Sequence, residues 1–317
     1  MAKKETILVV GSINMDLVVR SPHMPAPGET ILGSGFKTSF GGKGANQAVA
    51  VARLGGKCAM IGRVGDDPFG RDLVANLQRE GIDTRAVATC DDQPTGVAVI
   101  VVDSNGENSI VVASGANWRV TPDDDIFPNE SLFEQAAVVL LQLELPLPTV
   151  RAAIEMAKRH GCKVILDPAP APKPMPEYLC AVDVLTPNIS EAEIITGRKA
   201  GDPCEDKLIA SELVENGARN VVLKLGPRGS LAVMADGHFY TVPAFKVQVV
   251  DTTGAGDAFT GALAVAMRRQ DRIHDAVRFA SAAGSLACTK LGAQAAMPTA
   301  DEVQILMEDQ PQTDRGA

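Results

Sequence analysis

The chain has 317 residues, of which 45% are hydrophobic, and its formal net charge is −9 with an isoelectric point near 5.0. This much apolar sequence can form one large α/β domain or two smaller ones, whereas the acidic balance argues against a nucleic-acid-binding surface. The six cysteines form no C-x-x-C pair and the first apolar run is too short for a signal peptide or a membrane span, so we expect a cytoplasmic protein with small-molecule partners and no membrane attachment.

Short apolar runs alternate with helical patterns along the chain. Strands are predicted at residues 7–11, 57–62, 137–144, 163–170, 182–188 and 220–226, and helices at 44–54, 69–80, 149–160 and 205–217. This alternation predicts an α/β fold with a mostly parallel central sheet and helices on both faces. Because ligands of such sheets bind at the carboxyl ends of the strands, the residues after each apolar run are the candidates for function.

Two segments interrupt this alternation and predict a small separate β-sheet. Residues 95–114 contain two β-rich runs joined through Asn105-Gly106, which is a strong hairpin signal. An isolated hairpin is only marginally stable in water, so we expect it to pair with the glycine-rich, strand-like residues 12–40. Residues 1–309 are therefore predicted to form one domain with this small sheet, and residues 310–317 a disordered tail.

The sequence SINMD follows the first predicted strand. In an extended segment Asn14 and Asp16 point to one side while Ile13 and Met15 point to the other, which brings two polar side chains together. Asn and Asp are also common where a strand runs into a turn. Taken alone, the two residues favour that simpler interpretation.

A glycine cluster in FGGKGANQAVAVARLG (residues 40–55) stands directly before a predicted amphipathic helix. Glycines at a helix N-terminus let a ligand approach the free backbone N–H groups, and Lys43 and Asn46 add side-chain donors in the first turn. An ordinary glycine-containing helix start is the alternative. The Walker A pattern of phosphate-binding loops does not occur in the chain.

A second glycine turn lies in the sequence DTTGAGDAFTGAL. Gly254-Ala255-Gly256 leaves consecutive N–H groups free before a helix that is predicted to begin near Asp257, and this geometry binds anions such as phosphate. The Asp257 carboxylate beside such an anion hole can accept the proton of a hydroxyl group that attacks a phosphoryl group. Simple N-capping by Asp257 is the alternative, but it would leave the two glycines unexplained.

The segments GSINMD, FGGKGANQAVA, NISE and DTTGAGDAFTGAL, in this order and spacing, resemble the ribokinase or pfkB-type family of carbohydrate and nucleoside kinases over about residues 5–300. The resemblance implies a ribokinase-like three-layer sandwich with a β lid formed by residues 12–40 and 95–114. It also implies ATP-dependent phosphorylation of a sugar at a primary hydroxyl, which for ribose is O5 and gives ribose 5-phosphate and ADP. Two lids are implied to pack together in a homodimer.

The resemblance assigns roles to individual residues. Those implied to bind the sugar hydroxyls are Asn14, Asp16, Gly42, Lys43, Asn46 and Glu144. Asp257 is implied to be the catalytic base, and the backbone of residues 254–257 to stabilise the charge on the transferred group. Residues implied to lie at the nucleotide are Asn188, Lys224, Gly226, Gly229, Gly256 and Ser281. Glu191 is implied to act on Mg²⁺ through water, which suits an ion that keeps several waters.

Asp251 stands three residues before the glycine turn, too far away to serve as a second base. An unpaired buried carboxylate would be costly, and hard monovalent cations prefer oxygen ligands such as the backbone carbonyls near Thr253. The resemblance likewise implies a potassium site, formed by Asp251 and Thr253 with backbone oxygens around Ala287, Lys290 and Gly292. A local cap or salt bridge of Asp251 is the alternative.

The sequence departs from the family pattern at three positions. Lys224 stands where Thr is common, Asp167 makes the frequent NPAP sequence DPAP, and Ala296 replaces a common hydroxyl residue. Three other functions remain as alternatives: a nicotinamide dehydrogenase, which the missing G-x-G-x-x-G disfavours, a catalytically silent sugar sensor, and a kinase of the same family that acts on deoxyribose, another sugar or a nucleoside.

Overall fold

A computed structural model of the protein describes residues 4–269 and 272–311. The strands of this part are β1 (Thr6–Val10), β2 (Asn14–Arg20), β3 (Gly35–Gly41), β4 (Lys57–Gly65), β5 (Asp83–Cys90), β6 (Gly96–Val102), β7 (Asn108–Ala113), β8 (Ala136–Leu141), β9 (Lys163–Leu166), β10 (Val184–Leu185), β11 (Asn220–Lys224), β12 (Ser230–Met234) and β13 (Phe239–Val242). The helices are α1 (Lys43–Arg53), α2 (Pro68–Arg79), α3 (Glu130–Gln135), α4 (Leu147–Arg159), α5 (Glu177–Cys180), α6 (Ile189–Thr196), α7 (Pro203–Glu215), α8 (Ala255–Arg269), α9 (Ile273–Ala287) and α10 (Ala300–Asp309).

Nine strands form the central sheet in the order β13-β12-β11-β10-β9-β8-β1-β4-β5. Neighbouring strands pair in parallel except on either side of β12, which is antiparallel to both β11 and β13. Along β1, Ile7 and Val9 pack into the core that contains α1, α8 and α9, while Leu8 and Val10 pack into the core that contains α4 and α7. Successive side chains thus serve opposite faces of the sheet, and the predicted three-layer α/β architecture is confirmed.

The predicted elements differ from the observed ones mainly at their ends. Each of the four predicted helices is present, and its ends lie within two residues of the predicted ones. The strand predicted at residues 163–170 ends at Leu166, because the prolines that follow at 168 and 170 have no N–H to donate to a ladder. The strand predicted at residues 182–188 shrinks to Val184–Leu185. Helix α8 begins at Ala255, two residues before its predicted start.

The predicted lid is a separate four-stranded sheet in the order β3-β2-β6-β7. Strand β2 pairs in parallel with β6, and β3 and β7 pair antiparallel on the two outer sides. The register aligns Asp16 of β2 with Ala98 of β6, which aligns with Val112 of β7. Because aligned residues of neighbouring strands lie on one face, the lid face that carries Asp16 continues to Val112.

Most of the predicted disordered tail, residues 312–317, lies outside the described residues. Gln310, the first residue of that predicted tail, is tied to the domain, because its side-chain amide donates to the carbonyl of Lys246 and accepts the Lys246 N–H, both at 2.9 Å. Within the described residues, no helix combines the length and the hydropathy that a membrane span requires.

Candidate active site

The predicted site residues converge at the carboxyl ends of β1, β8, β9 and β11, where α1 and α8 begin. Gly42 precedes α1 with a φ of 87°, and a Cβ atom there would lie 2.7 Å from the backbone nitrogen of Asn14. Only glycine tolerates both this conformation and this contact. The glycine cluster therefore lets the start of α1 lie directly against the chain that leaves β1, where the Ala45 N–H donates to the Ser12 carbonyl at 2.9 Å.

The first polar cluster gathers the residues that the sequence assigned to a sugar. Asp16 lies against Gly41, where a Cβ atom would meet both carboxylate oxygens at 2.3 Å. The Glu144 carboxylate accepts hydrogen bonds from the Ser12 hydroxyl and, at 3.2 Å, from the Lys43 N–H. Asn14 Oδ1 accepts a 2.7 Å hydrogen bond from the side-chain amide of another asparagine, residue 117.

That second asparagine is a site residue that sequence reasoning missed. Asn117 is buried, and its Oδ1 accepts a 2.9 Å hydrogen bond from the Ile13 N–H, while its Nδ2 donates to Asn14. It thereby fixes the backbone and the side chain of the segment that follows β1. Gly96 makes room for this contact, since a Cβ atom there would lie 2.3 Å from both Asn14 Oδ1 and Asn117 Nδ2.

Asp257 lies in the first turn of α8, buried between α1 and the central sheet. Its Oδ2 accepts a 2.9 Å hydrogen bond from Asn46 Nδ2, and its Oδ1 accepts one of 3.1 Å from Gln47 Nε2. Burial raises the pKa of Asp257 to about 6, with Asp167 adding to the shift and Lys43, Asn46 and Gln47 opposing it. A carboxylate with this pKa is ionised at neutral pH and is a stronger base than an ordinary aspartate.

The pKa values of the neighbouring Asp16 and Lys43 are both raised, but for different reasons. Burial, together with the nearby carboxylates of Glu144 and Asp257, raises the pKa of Asp16 to about 7. For Lys43, burial lowers the pKa, but the surrounding carboxylates, led by Asp257, outweigh it and raise the pKa above its ordinary value. Lys43 therefore remains charged beside a cluster of acids.

Gln47 is the second site residue that sequence reasoning missed. Its fully buried amide donates to Asp257 Oδ1 and, at 3.0 Å, to Asp167 Oδ2, while its Oε1 accepts a 2.7 Å hydrogen bond from Gln142. Both amide hydrogens and the carbonyl oxygen are thus used, so the side chain cannot rotate without breaking bonds. Its place within the helix motif GANQAVA, next to Asn46, is the only sequence signal for it.

The turn before Asp257 keeps part of the predicted anion hole. Gly254 has a φ of 76°, and the N–H groups of Gly254, Gly256 and Asp257 have no acceptor among the described residues. The Ala255 N–H, which the sequence also placed in the anion hole, instead donates to the carbonyl of Thr252 at 3.2 Å. Because the Ala255 N–H is used in a hydrogen bond within the turn, three N–H groups rather than four remain to bind an anion.

A cavity of about 770 Å³ extends from Lys43 and Asp257 past the glycine turn to the start of the 281–288 region. The predicted nucleotide residues that line it are Asn188, Lys224, Gly226, Gly229, Gly256 and Ser281. Apolar residues, among them Phe245 and Val249, line it as well. The cavity therefore joins the proposed base to a partly apolar pocket, which suits a ligand with an anionic end and a flat apolar end.

Packing within the protein explains the glycine at position 229. A Cβ atom at Gly229 would lie 2.0 Å from the carbonyl oxygen of Val242, so the close approach that requires glycine is to the chain after β13. Gly226 has a φ of 58° and would place a Cβ atom in open space. The Ser281 hydroxyl pairs with that of Ser230 at 3.0 Å.

The NISE segment forms a capping box at the start of α6. Asn188 Oδ1 accepts the Glu191 N–H, and the Glu191 carboxylate accepts the backbone N–H and the Nδ2 hydrogen of Asn188, each at 2.8 Å. Burial raises the pKa of Glu191, with Asp167 adding to the shift and the Lys224 and Lys43 charges opposing it. The capping box holds the carboxylate in place at the cavity wall. An oriented carboxylate with unused lone pairs fits a role on hydrated Mg²⁺.

The two segments of the predicted cation site lie together. Asp251 Oδ1 accepts hydrogen bonds from the N–H and the hydroxyl of Thr253 at 2.9 and 2.7 Å, and Oδ2 accepts the Gly292 N–H at 2.8 Å. The half-buried Asp251 carboxylate thus has three hydrogen-bond donors, as the alternative of a local cap predicts. Ala287 ends α9 and Lys290 pairs with Glu302 at 2.8 Å. The bond from Gly292 to Asp251 and the bonds from the Val250 and Asp251 N–H groups to the Cys288 carbonyl hold residues 287–292 against the segment before the turn.

Comparison with known proteins identifies the family. The model for "pfkB family carbohydrate kinase" matches residues 4–300. The chain is 40% identical over 305 residues to the ribokinase of Haemophilus influenzae, covering 96% of this chain and 99% of that protein. It is 38% identical over 297 residues to the deoxyribokinase of Salmonella typhimurium, covering 93% and 96%.

A solved structure gives the same result. The structure of Arabidopsis thaliana ribokinase complexed with ribose and ATP matches this one with a TM-score of 0.90 and 34% identity, covering 96% of this chain and 99% of that one. The dehydrogenase alternative is therefore wrong. The protein belongs to the pfkB family of carbohydrate kinases.

Proposed function

We propose that the protein transfers the γ-phosphoryl group of ATP to the primary 5-hydroxyl of D-ribose, giving ribose 5-phosphate and ADP. The observation that carries this proposal is the position of Asp257. It shares a hydrogen bond with Asn46 of the sugar cluster and stands at the end of the nucleotide cavity, beside three free N–H groups. The ribokinase relatives, one of them solved with ribose and ATP, support the choice of substrates.

Asp257 accepts the proton of the sugar hydroxyl as the oxygen attacks. A bond forms between that oxygen and the γ-phosphorus, and the bond from the phosphorus to the β,γ-bridging oxygen breaks, its electron pair leaving on ADP. The N–H groups of Gly254, Gly256 and Asp257 stabilise the negative charge of the transferred group. Asn14, Asp16, Lys43 and Glu144 hold the other hydroxyls, so that the acceptor oxygen meets the base.

Mg²⁺ bound with ATP would neutralise phosphate charge, and Glu191 is the residue that would hold its water shell. A potassium ion would lie between Asp251, Thr253 and the backbone at Ala287, Lys290 and Gly292. Its effect would be on the conformation of the glycine turn. Support for this site is the contact between the two segments through Asp251 and Gly292.

The lid supports a homodimer. Its exposed apolar side chains lie on both faces: Ile110 and Val112 share the face of Asp16, whereas Phe36, Val99 and Val111 lie on the opposite face. Apolar patches of this kind mark association surfaces in soluble proteins. Because the face that carries Asp16 also carries Val112, packing of two lids would cover the sugar. The six free cysteines support a cytoplasmic location.

The main alternative is a kinase for 2-deoxyribose, which the deoxyribokinase relative favours. The experiment is to measure kcat/KM for ribose, 2-deoxyribose, fructose, adenosine and inosine. Ribose is expected to give the highest value, because Asn14 and Asp16 suit the full set of ribose hydroxyls and an unpaired polar site residue penalises an analogue that lacks one. A higher value for another acceptor would overturn the assignment, and absence of sugar-dependent ATP hydrolysis would favour the sensor.

A further inference from the structure

Two of the three positions at which the sequence departs from the family pattern are partners in the structure. Lys224 at the end of β11 places its Nζ 2.8 Å from Oδ1 of Asp167, which follows β9. The side chains are 13% and 2% exposed, so the pair is largely removed from water. A buried ion pair is weak support for stability, because desolvation of both charges offsets their attraction. The pair therefore calls for a functional explanation.

The Asp167 carboxylate is held at both oxygens. Oδ1 accepts from Lys224, and Oδ2 accepts from Gln47, whose amide also donates to Asp257. An ammonium group has three donors, and Asp167 is the one hydrogen-bond acceptor that Lys224 Nζ finds among the described residues. Lys224 also lines the nucleotide cavity. Its remaining donors are thus available to a ligand there.

The ammonium lies beside the anion hole. A Cβ atom built on Gly256 would be 3.4 Å from Lys224 Nζ, so the charge lies within contact distance of the turn. The Gly256 and Asp257 N–H groups without acceptors belong to the same turn. A phosphoryl group bound by these N–H groups would be within reach of the lysine.

We propose that Lys224 is a catalytic residue that contacts the transferred phosphoryl group, and that Asp167 is the positioning residue that aims its ammonium at the anion hole. The proposal rests on the proposed function. When the bond to the β,γ-bridging oxygen breaks, its electron pair goes to ADP, while the proton of the acceptor hydroxyl goes to Asp257. A fixed positive charge beside this centre stabilises the redistributed negative charge without reorganising during the step.

The first test removes the charge of Lys224. Lys224→Met is expected to lower kcat by about 10²-fold, the usual effect of losing one preorganised donor, while Lys224→Arg retains part of the activity. The affinity for ADP, which lacks the transferred group, should change by less than about threefold. Lys207→Met is the matched control, because Lys207 is exposed and lies over the Phe239 ring, away from the cavity.

The second test separates catalysis from simple neutralisation of Asp167. Lys224→Met leaves a buried carboxylate unpaired, whereas the double variant Lys224→Met/Asp167→Asn leaves no unpaired charge. If Lys224 acts on the phosphoryl group, the double variant stays as slow as Lys224→Met. Asp167→Asn alone lowers kcat by about tenfold, because the lysine is then charged but not aimed, and it adds no loss in the Lys224→Met background.

Recovery of the double variant to within about threefold of the wild-type kcat would overturn the catalytic role, because the lysine would then only neutralise Asp167. A loss of ADP affinity as large as the loss of kcat would overturn it too. Additive losses would overturn the positioning role of Asp167. If the wild type prefers an acceptor other than ribose, the proposed substrate is wrong, and the variants test the lysine with that acceptor in the same way.

Discussion

Asn46 donates a 2.9 Å hydrogen bond from its Nδ2 to Oδ2 of Asp257, and its own Oδ1 is buried without a partner among the described residues. A buried amide oxygen without a donor is costly unless a ligand supplies one. A sugar hydroxyl would do so. Asn46 would then contact the substrate and the base at once, which places the acceptor hydroxyl beside the carboxylate that must take its proton.

Replacement of the base tests this geometry directly. Asp257→Asn is expected to lower kcat by about 10²–10⁴-fold, the usual range for a general base, with the sugar affinity largely unchanged. At saturating sugar, the wild-type kcat should fall as the pH drops below about 6, because protonated Asp257 cannot accept a proton. The variant should lose this dependence. Asp236→Asn, at an exposed aspartate, is the control, and a near-normal kcat for Asp257→Asn would refute the assignment.

Sugar binding should depend on the protonation of Asp16. Burial and two nearby carboxylates raise the pKa of Asp16 to about 7, so lowering the pH from 8 to 6 protonates it. Sugar hydroxyls donate better to the ionised form, and linkage therefore predicts that the ribose Kd falls about tenfold from pH 6 to pH 8. Calorimetric titration at both pH values measures this change. Asp16→Asn should bind weakly at both, and a wild-type Kd that is independent of pH would contradict the role of Asp16.

The proposed cation should affect turnover. Replacing potassium chloride with tetramethylammonium chloride at constant ionic strength is expected to reduce kcat, because the glycine turn loses an ion that fixes its conformation. Asp251→Ala should abolish the difference between the salts. Asp251→Asn removes the charge but keeps an oxygen acceptor for the Thr253 donors. Its comparison with Asp251→Ala therefore separates the effect of the charge from the effect of the hydrogen bonds. Equal wild-type rates in the two salts would remove the cation from the mechanism.

The lid surface should control assembly. Ile110 on β7 is 52% exposed, and Ile110→Glu is expected to convert a dimer into a monomer, since a charge in an apolar interface is costly to desolvate. Leu208→Glu is the matched control, because Leu208 of α7 is 51% exposed and lies outside the lid. Light scattering at assay concentrations measures the masses. A monomeric wild type would contradict the dimer proposal.

Local sequence patterns predicted much of this protein. Alternating apolar runs predicted the sheet and its helices because burial on both faces of a parallel strand leaves a continuous apolar signal, as in TILVV of β1. The glycine turns at Gly42 and Gly254 could be predicted because positive φ values and close backbone contacts require glycine. The role of Asp257 as a base could be predicted because the residue follows such a turn at the start of a helix.

Only the tertiary structure could decide which side chains meet. Gln47 lies 210 residues from Asp257, Asn117 lies 103 from Asn14, and Lys224 lies 57 from Asp167. Residues so far apart along the chain form no recognisable sequence spacing. The order of the strands in the sheet, and not the local geometry of the chain, decides whether their side chains meet. In the sequence, Lys224 and Asp167 were two separate departures from a family pattern. The folded sheet brings the ends of β9 and β11 to one edge, where burial forces the two charges to pair.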